Sequence, residues 1–302
     1  MLKLVIKLLF GMTLFGMTAL HAADTTIVTI VYTNNNNGNL EPCDCGEEPM
    51  GGLSRRKTML DRLRAGNKNL LTVDAGDFFD AFGLAPEQDK KVIRLYESLG
   101  YDAVNIGDQE FANETTFVTD ELLASRLPLV SSTLMLENKP VAVPAYRIKA
   151  VAGLRVAMIG YTPPSSFHYF PKEKKLEYQA DANRFKSALE QSAPQSDVII
   201  VLSQAGYDED VELAKTYPQI DVIVGGHSQT EVREKVRIGK TIIVQAGAYG
   251  SYLGKLDLHI KDKRIGSFDN FLIPLDSKVK DDADFRKTID QFLRKSKSSK
   301  SR

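Results

Sequence analysis

The chain of 302 residues has no tryptophan, two cysteines and four histidines. Its 39 basic residues (Lys, Arg) match its 39 acidic ones (Asp, Glu), so it carries no net charge. Such a chain lacks the basic surplus that attracts a phosphate backbone, which argues against a general nucleic-acid binder. A local basic run lies at the C-terminus, Lys295 to Arg302. Two cysteines do not make a disulfide framework. Neither an internal repeat nor a clear linker interrupts the chain before that tail. What remains is one large domain of ordinary globular composition, with ample material for a core.

The N-terminus reads as a secretory signal. Lys3 and Lys7 give a positive start, Leu8 to Leu20 is apolar, and His21-Ala22-Ala23 offers small residues for cleavage. The alternative is an uncleaved anchor, but the apolar run is short against the roughly 20 residues a span needs. With no cysteine near the cleavage point, a lipid-anchored form is not expected. The expectation is an exported, periplasmic protein with no integral membrane segment after cleavage. It divides into residues 1–23 (signal), 24–275 (main domain) and 276–302 (a helix and basic tail), and its protein partner is left open.

Strands and helices alternate through most of the chain, so a layered α/β domain is the natural class. Ile27 to Tyr32 reads as a strand. Leu53 to Leu63 reads as a helix with Leu53, Leu60 and Leu63 inward and Arg55, Arg56 and Lys57 outward. Pro86 opens a second helix, which Gly100 closes. A further helix is expected over Thr119 to Arg126, and another over Ala182 to Gln191. Later strands are expected at Arg155 to Ile159, Asp197 to Leu202, Asp221 to Val224, Thr241 to Gln245 and Leu253 to Ile260. Ala283 to Leu293 reads as a final amphipathic helix, followed by a tail that is disordered on composition. Pro163 to Lys175, with Phe167, His168, Tyr169 and Phe170, reads as an aromatic loop of the kind that covers a site or meets a partner.

The stretch Leu70 to Asp77 organises the rest. An apolar run ends in Asp74, Ala75, Gly76 and Asp77, where a carboxylate can reach a ligand from a rigid strand end. Other strand ends finish in Asn35/Asn37, Asp108/Gln109, Gln204 and His227/Gln229. Taken singly these are ordinary polar loops, and the run Asn34 to Asn37 favours a turn without any function. Taken together they are expected to meet around Asp77. Cys43 and Cys45 share one loop, where they could form a tight bridge that is either a local clip or redox-active.

In this order the segments Thr33 to Gly38, Gly76-Asp77, Gly107 to Ala112, Ser203-Gln204 and Gly225 to Gln229 resemble the motifs of the exported 5'-nucleotidase/UDP-sugar hydrolase (UshA-like) family of calcineurin-like metallophosphoesterases. Gly51-Gly52-Leu53, Gly100 to Ala103, Gly153 to Thr162 and Gln245 to Gly254 fit the same frame. The resemblance implies a layered fold of two packed mixed β-sheets flanked by helices. It also implies a two-metal phosphoester hydrolase in which Asp77 bridges two cations and His227 and Gln229 are ligands. The departures are specific. The family's Asp-x-His is Asn35-Asn36-Asn37, its Asn ligand is Asp108, its catalytic His is Gln109 with Ala112 behind it, and its fourth-cluster His is Gln204. One carboxylate is removed at position 35 and one added at position 108, so formal charge moves without changing.

Amide oxygens in place of imidazoles suit Mn²⁺, Mg²⁺ or Ca²⁺ better than Zn²⁺. Gln109 cannot exchange a proton near neutral pH, so phosphoester hydrolysis is expected to be weak or absent. Family nucleotidases also hold the base with a C-terminal domain, whereas only a helix and tail follow residue 275. A sister branch acts on sulfur compounds carried on a protein cysteine. A redox or sulfur-handling role for Cys43 and Cys45, on a small phosphorylated or sulfur-containing substrate, is therefore the alternative expectation. A metal-poor binding module is the third.

Overall fold

The computed structural model describes residues 25–43, 48–168, 170 and 178–300. The expected signal segment, Cys45, Tyr169 and residues 171–175 of the aromatic loop lie outside the described residues.

Two six-stranded mixed sheets pack face to face. The first runs, in spatial order, Arg264–Pro274, Tyr252–Lys261, Thr26–Thr33, Leu70–Asp74, Ala103–Asn105 and Leu129–Val130. Its four members from Thr26–Thr33 onward are parallel, and the two late strands add antiparallel to that edge. The second runs Val236–Ile238, Thr241–Val244, Val222–Gly225, Val198–Ser203, Leu154–Tyr161 and Tyr146–Val151, parallel in the middle with an antiparallel strand at each edge.

The strands read as continuous apolar runs because both faces are covered. In Val198–Ser203, the residues Val198, Ile200 and Leu202 face the opposing sheet, while Ile199 and Val201 meet the helices. The inter-sheet core joins Val28, Ile30, Tyr32, Leu71 and Val73 to Val156, Met158, Val222, Val224 and Val244. Outside the first sheet lie the helices Leu53–Gly66, Pro86–Leu99 and Ala283–Lys300; outside the second lie Ala182–Ser192 and Tyr207–Thr216. The result is four layers, helix–sheet–sheet–helix. No helix among the described residues is long and apolar enough to cross a membrane.

Four local expectations are corrected. Arg56 points inward and is only 1% exposed, because its charge has partners inside. The helix expected at Thr119 to Arg126 is instead a turn at Thr115–Phe117 followed by a wider one at Val118–Leu122, centred on buried Phe117, Val118 and Leu122. The basic tail continues the last helix to Lys300, since no Gly or Pro follows Pro274 to stop it and Phe285 and Ile289 dock its first turns. Phe167 is buried against Phe111, their ring centroids 5.9 Å apart, and so is a core residue and not a lid surface.

Candidate metal centre

Parallel strands send their C-terminal ends the same way, so the loops after Thr33, Asp74, Asn105, Ser203 and Gly225 gather at one edge of the sandwich. Their backbones are unusual. Asn35, Asn37, Asp77, His227 and Gln229 have φ of 46°, 52°, 59°, 62° and 56°, the left-handed region that side chains rarely occupy. Such conformations persist where the surroundings impose them, and they concentrate at functional sites. Glycine permits the close approach. A Cβ on Gly107 would lie 2.1 Å from Asp77 Oδ1, and one on Gly76 would lie 2.8 Å from the Gly107 nitrogen.

Ligand atoms of Asp77, Asp108 and His227 lie within 4.8 Å of one another. Asp108 Oδ1 and His227 Nδ1 are 3.1 Å apart, a contact that joins the two sheets. That hydrogen bond raises the His227 pKa against the effect of its burial. Burial, reinforced by the Asp108 and Glu110 carboxylates, pushes Asp77 well above the usual carboxylate range. Glu110 is fully buried and accepts N–H groups from Gly107 (2.6 Å), Phe78 (2.7 Å), Asp77 (3.0 Å) and Phe79 (3.1 Å). It holds the Asp77 turn in shape, and burial pushes its pKa up to about 8. Crowded carboxylates of this kind repel one another unless a cation or proton sits among them.

The remaining candidate donors differ in what they do. Gln204 is wholly buried, yet neither atom of its amide has a partner. Its side chain packs against Gly76 and Gly226, the residues before Asp77 and His227. Asn37 Oδ1 and Gln109 Oε1 are likewise buried and unpartnered. Buried polar atoms without partners are rare and call for a ligand or water. Two carboxylates, one imidazole and several open amide oxygens make a set that fits a hard divalent cation. Gln229 is exposed on the rim. Asn35 is engaged elsewhere: its Nδ2 donates to Asp77 Oδ2 at 2.9 Å and its Oδ1 accepts from Asn34 at 3.0 Å.

Several supporting residues escaped the sequence reading. Asn34 Oδ1 accepts from the Ala246 N–H, and its Nδ2 donates to the Gly247 carbonyl, tying the first sheet's loop to the second. Gln245 Nε2 donates to the Gly226 carbonyl and its Oε1 accepts from Ser228, bracketing His227. Asn105 Nδ2 donates to the Ala75 carbonyl beneath the same edge. Arg56 Nη2 donates to Asn36 Oδ1 at 2.7 Å, between Asn35 and Asn37. The helix Tyr207–Thr216 was also missed, although Gly206 followed by Asp208, Glu209 and Asp210 is the signal of a helix start.

Cys43 is disulfide-bonded. It sits in a two-residue strand, Pro42–Cys43, paired with Met50–Gly51. Gly51 packs on the Tyr249 and Gly250 carbonyls, and the Tyr249 N–H donates to the Asn35 carbonyl. The hairpin thus adjoins the site edge. His168 is exposed beyond the turn Pro164–Phe167, whose Ser166 hydroxyl donates to the Gln204 carbonyl.

No model of a known protein family matches the chain. The snake venom 5'-nucleotidase of Gloydius brevicauda is 28% identical over 94% of this chain and 54% of its own length. Protein UshA of Yersinia enterocolitica is 28% identical over 84% of this chain and 52% of its own length. The chain therefore spans about half the length of these relatives. Among solved structures, the 5'-nucleotidase precursor from Thermus thermophilus superimposes with a TM-score of 0.77 at 25% identity, covering 90% of this chain and 59% of that one. The calcineurin-like phosphoesterase YfkN from Bacillus subtilis gives 0.75 at 20% identity, covering 90% of this chain and 98% of that one. In sequence along most of its length, and in fold, the chain is similar to the 5'-nucleotidases and UshA proteins, and it has the architecture of their N-terminal calcineurin-like metallophosphoesterase domain.

Proposed function

We propose that this chain is an exported, 5'-nucleotidase-like metallophosphoesterase domain that binds divalent cation at the Asp77 edge and hydrolyses phosphoesters weakly or not at all. The observation that carries the reading is the convergence of Asp77, Asp108 and His227 beside Gln109, an amide at the place of the family's catalytic histidine. Asp77, Asp108 and His227 would hold the cation, with Gln204 and Asn37 offering neutral oxygens. Mn²⁺, Mg²⁺ and Ca²⁺ suit that set better than Zn²⁺. The chemistry such an ion supplies when bound is Lewis-acid polarisation of a phosphoryl oxygen. Gln109 can orient an oxygen through its N–H groups but cannot deliver a proton to a leaving group. General acid–base help is worth about 10²–10⁴-fold, and that is the expected deficit. The names of the relatives favour a small phosphorylated substrate, and the venom relative favours export.

The test is Mn²⁺ binding and hydrolysis of AMP and a generic phosphodiester by the purified chain and by D77A. Removing a direct ligand should weaken Mn²⁺ binding by more than the roughly 10–100-fold typical of an outer partner, and abolish any turnover. Absence of bound Mn²⁺ in the parent chain would sink the reading. Turnover in the ordinary enzymatic range of about 1–10³ s⁻¹ would sink its second half.

The second reading is a redox or sulfur-handling role. It is favoured by the half-exposed, disulfide-bonded Cys43 on a hairpin that adjoins the Asn35 loop. Thiol titration with and without reductant, followed by Mn²⁺ affinity in each state, separates it from the first. An affinity that does not change on reduction counts against it.

A further inference from the structure

Asp77, Asp108 and His227 form the single group of three carboxylate or imidazole ligands found among the described residues. The Asp77 Oδ2 oxygen faces the Asn35 side chain, and which end of that amide it meets bears on what else can bind there.

Backbone groups whose roles are not in doubt settle the orientation. The Ala246 N–H can only donate, so the Asn34 atom it meets at 2.8 Å is the oxygen. The other end of Asn34 is then the NH₂ group, which agrees with its 2.7 Å contact to the Gly247 carbonyl, an acceptor only. That same NH₂ donates to Asn35 at 3.0 Å, so the Asn35 atom it meets is an oxygen. The Asn35 NH₂ therefore points at Asp77 Oδ2, 2.9 Å away. Both ends of the Asn35 amide are engaged: its nitrogen, which is not a ligand, faces Asp77, and its oxygen already accepts from Asn34. Asn35 is wholly buried, and its carbonyl is pinned by the Tyr249 N–H, so its side chain has little room to turn.

We propose that the centre is mononuclear, and that the Asn35 N–H takes the place of a second cation by donating a hydrogen bond to Asp77 Oδ2. This rests on the cation-binding reading above. On this proposal one ion takes the place of the expected two, and Asn35 leaves the ligand list while Asn37, whose Oδ1 has no partner, stays on it. An aspartate at position 35 would present an acceptor and a negative charge where the chain now presents a donor.

The experiment counts Mn²⁺ bound to the full chain by equilibrium dialysis with mass-spectrometric metal analysis, and records the electron paramagnetic resonance spectrum of the same sample. One Mn²⁺ per chain with the six-line spectrum of an isolated ion is expected. Two per chain with a spin-coupled spectrum overturns the proposal. No bound Mn²⁺ overturns the cation-binding reading itself, and the proposal with it. In N35D the count should rise from one to two. A count that stays at one in folded N35D overturns the assignment to Asn35, and the parent count stands whether or not N35D folds.

Discussion

Two buried polar groups lie within a few residues of each other on the first sheet, and they are built on opposite lines. Around Arg56 nearly every group is answered from inside the protein. Its guanidinium donates to Asn36, Tyr96 and Tyr101, with only Nε left over. Asp74 accepts from Thr33 and from the Gly76 N–H. Burial alone would lower the Arg56 pKa, but Tyr96, Tyr101 and Asp74 outweigh it and raise it. Around Asp77 the amides of Gln204, Gln109 and Asn37 keep unanswered oxygens and the carboxylates crowd. A satisfied network rigidifies a fold, whereas an unsatisfied one is destabilising unless something binds there. The first group is scaffold and the second, on the cation-binding proposal, is a receptacle. Removing parts of each should therefore have opposite signatures.

The largest effect belongs to the scaffold. R56M keeps most of the side-chain volume but leaves Asn36 Oδ1 and the Tyr96 and Tyr101 hydroxyls without their buried donor, and each group left unsatisfied costs about 1–3 kcal/mol. Urea unfolding should show that loss, and saturating Mn²⁺ should not selectively restore it. A loss under about 1 kcal/mol would mean that the network is not structural.

Asp89 extends the same contrast to pH. It is a buried carboxylate satisfied by the Asp80 N–H and by Asn113 Nδ2, and burial pushes its pKa up to about 6. The folded state then keeps a proton that the unfolded chain gives up near pH 3.8. Its stabilisation is present in full below that pH and is lost as pH rises to about 6, on the order of 3 kcal/mol at about 1.4 per unit. Comparing urea unfolding of the parent and D89N between pH 4 and pH 7 isolates this share, because D89N should have the shallower slope. Equal slopes would show that the group does not titrate in this window.

The smallest expected effect is at the receptacle. Q109H restores a group that can carry a proton, but Ala112 provides no carboxylate behind it. Phosphodiester turnover with Mn²⁺ should rise toward the lower end of the usual range, about 10²-fold. No gain with Mn²⁺ still bound would mean that proton transfer is not what limits this centre.

Local rules made much of the scaffold legible. Pro86 and Gly100 bound a helix, and Gly100 adopts the left-handed cap its position requires, φ 70°. Val198 to Leu202 is apolar on both faces and is buried on both. The site loops were legible as polar strand ends, and Gly76-Asp77 and Gly226-His227 do hold turns with left-handed residues. Arg56 was not legible, because an arginine between Arg55 and Lys57 looks like part of a solvated face until Tyr96, Tyr101 and Asp74 are placed around it. Asp210 was not legible either: it begins an acidic helix turn, yet packs wholly buried beside Gly225, where burial holds its pKa well up. The strand Arg264–Pro274 escaped notice because its exposed face breaks the apolar run.

The sequence by itself determined the class of the fold, the loops that carry the polar residues and the abundance of amides in those loops. These are matters of periodicity, turn chemistry and residue identity, which act over a few positions. Only the tertiary structure decided what those amides do. An asparagine can ligate through oxygen or donate through nitrogen, and at Asn35 the choice is set by Asn34, itself oriented by Ala246 and Gly247 more than two hundred residues away along the chain. The physical reason is that an amide has two chemically opposite ends, and its orientation follows from the fixed polarity of the backbone groups brought to meet it.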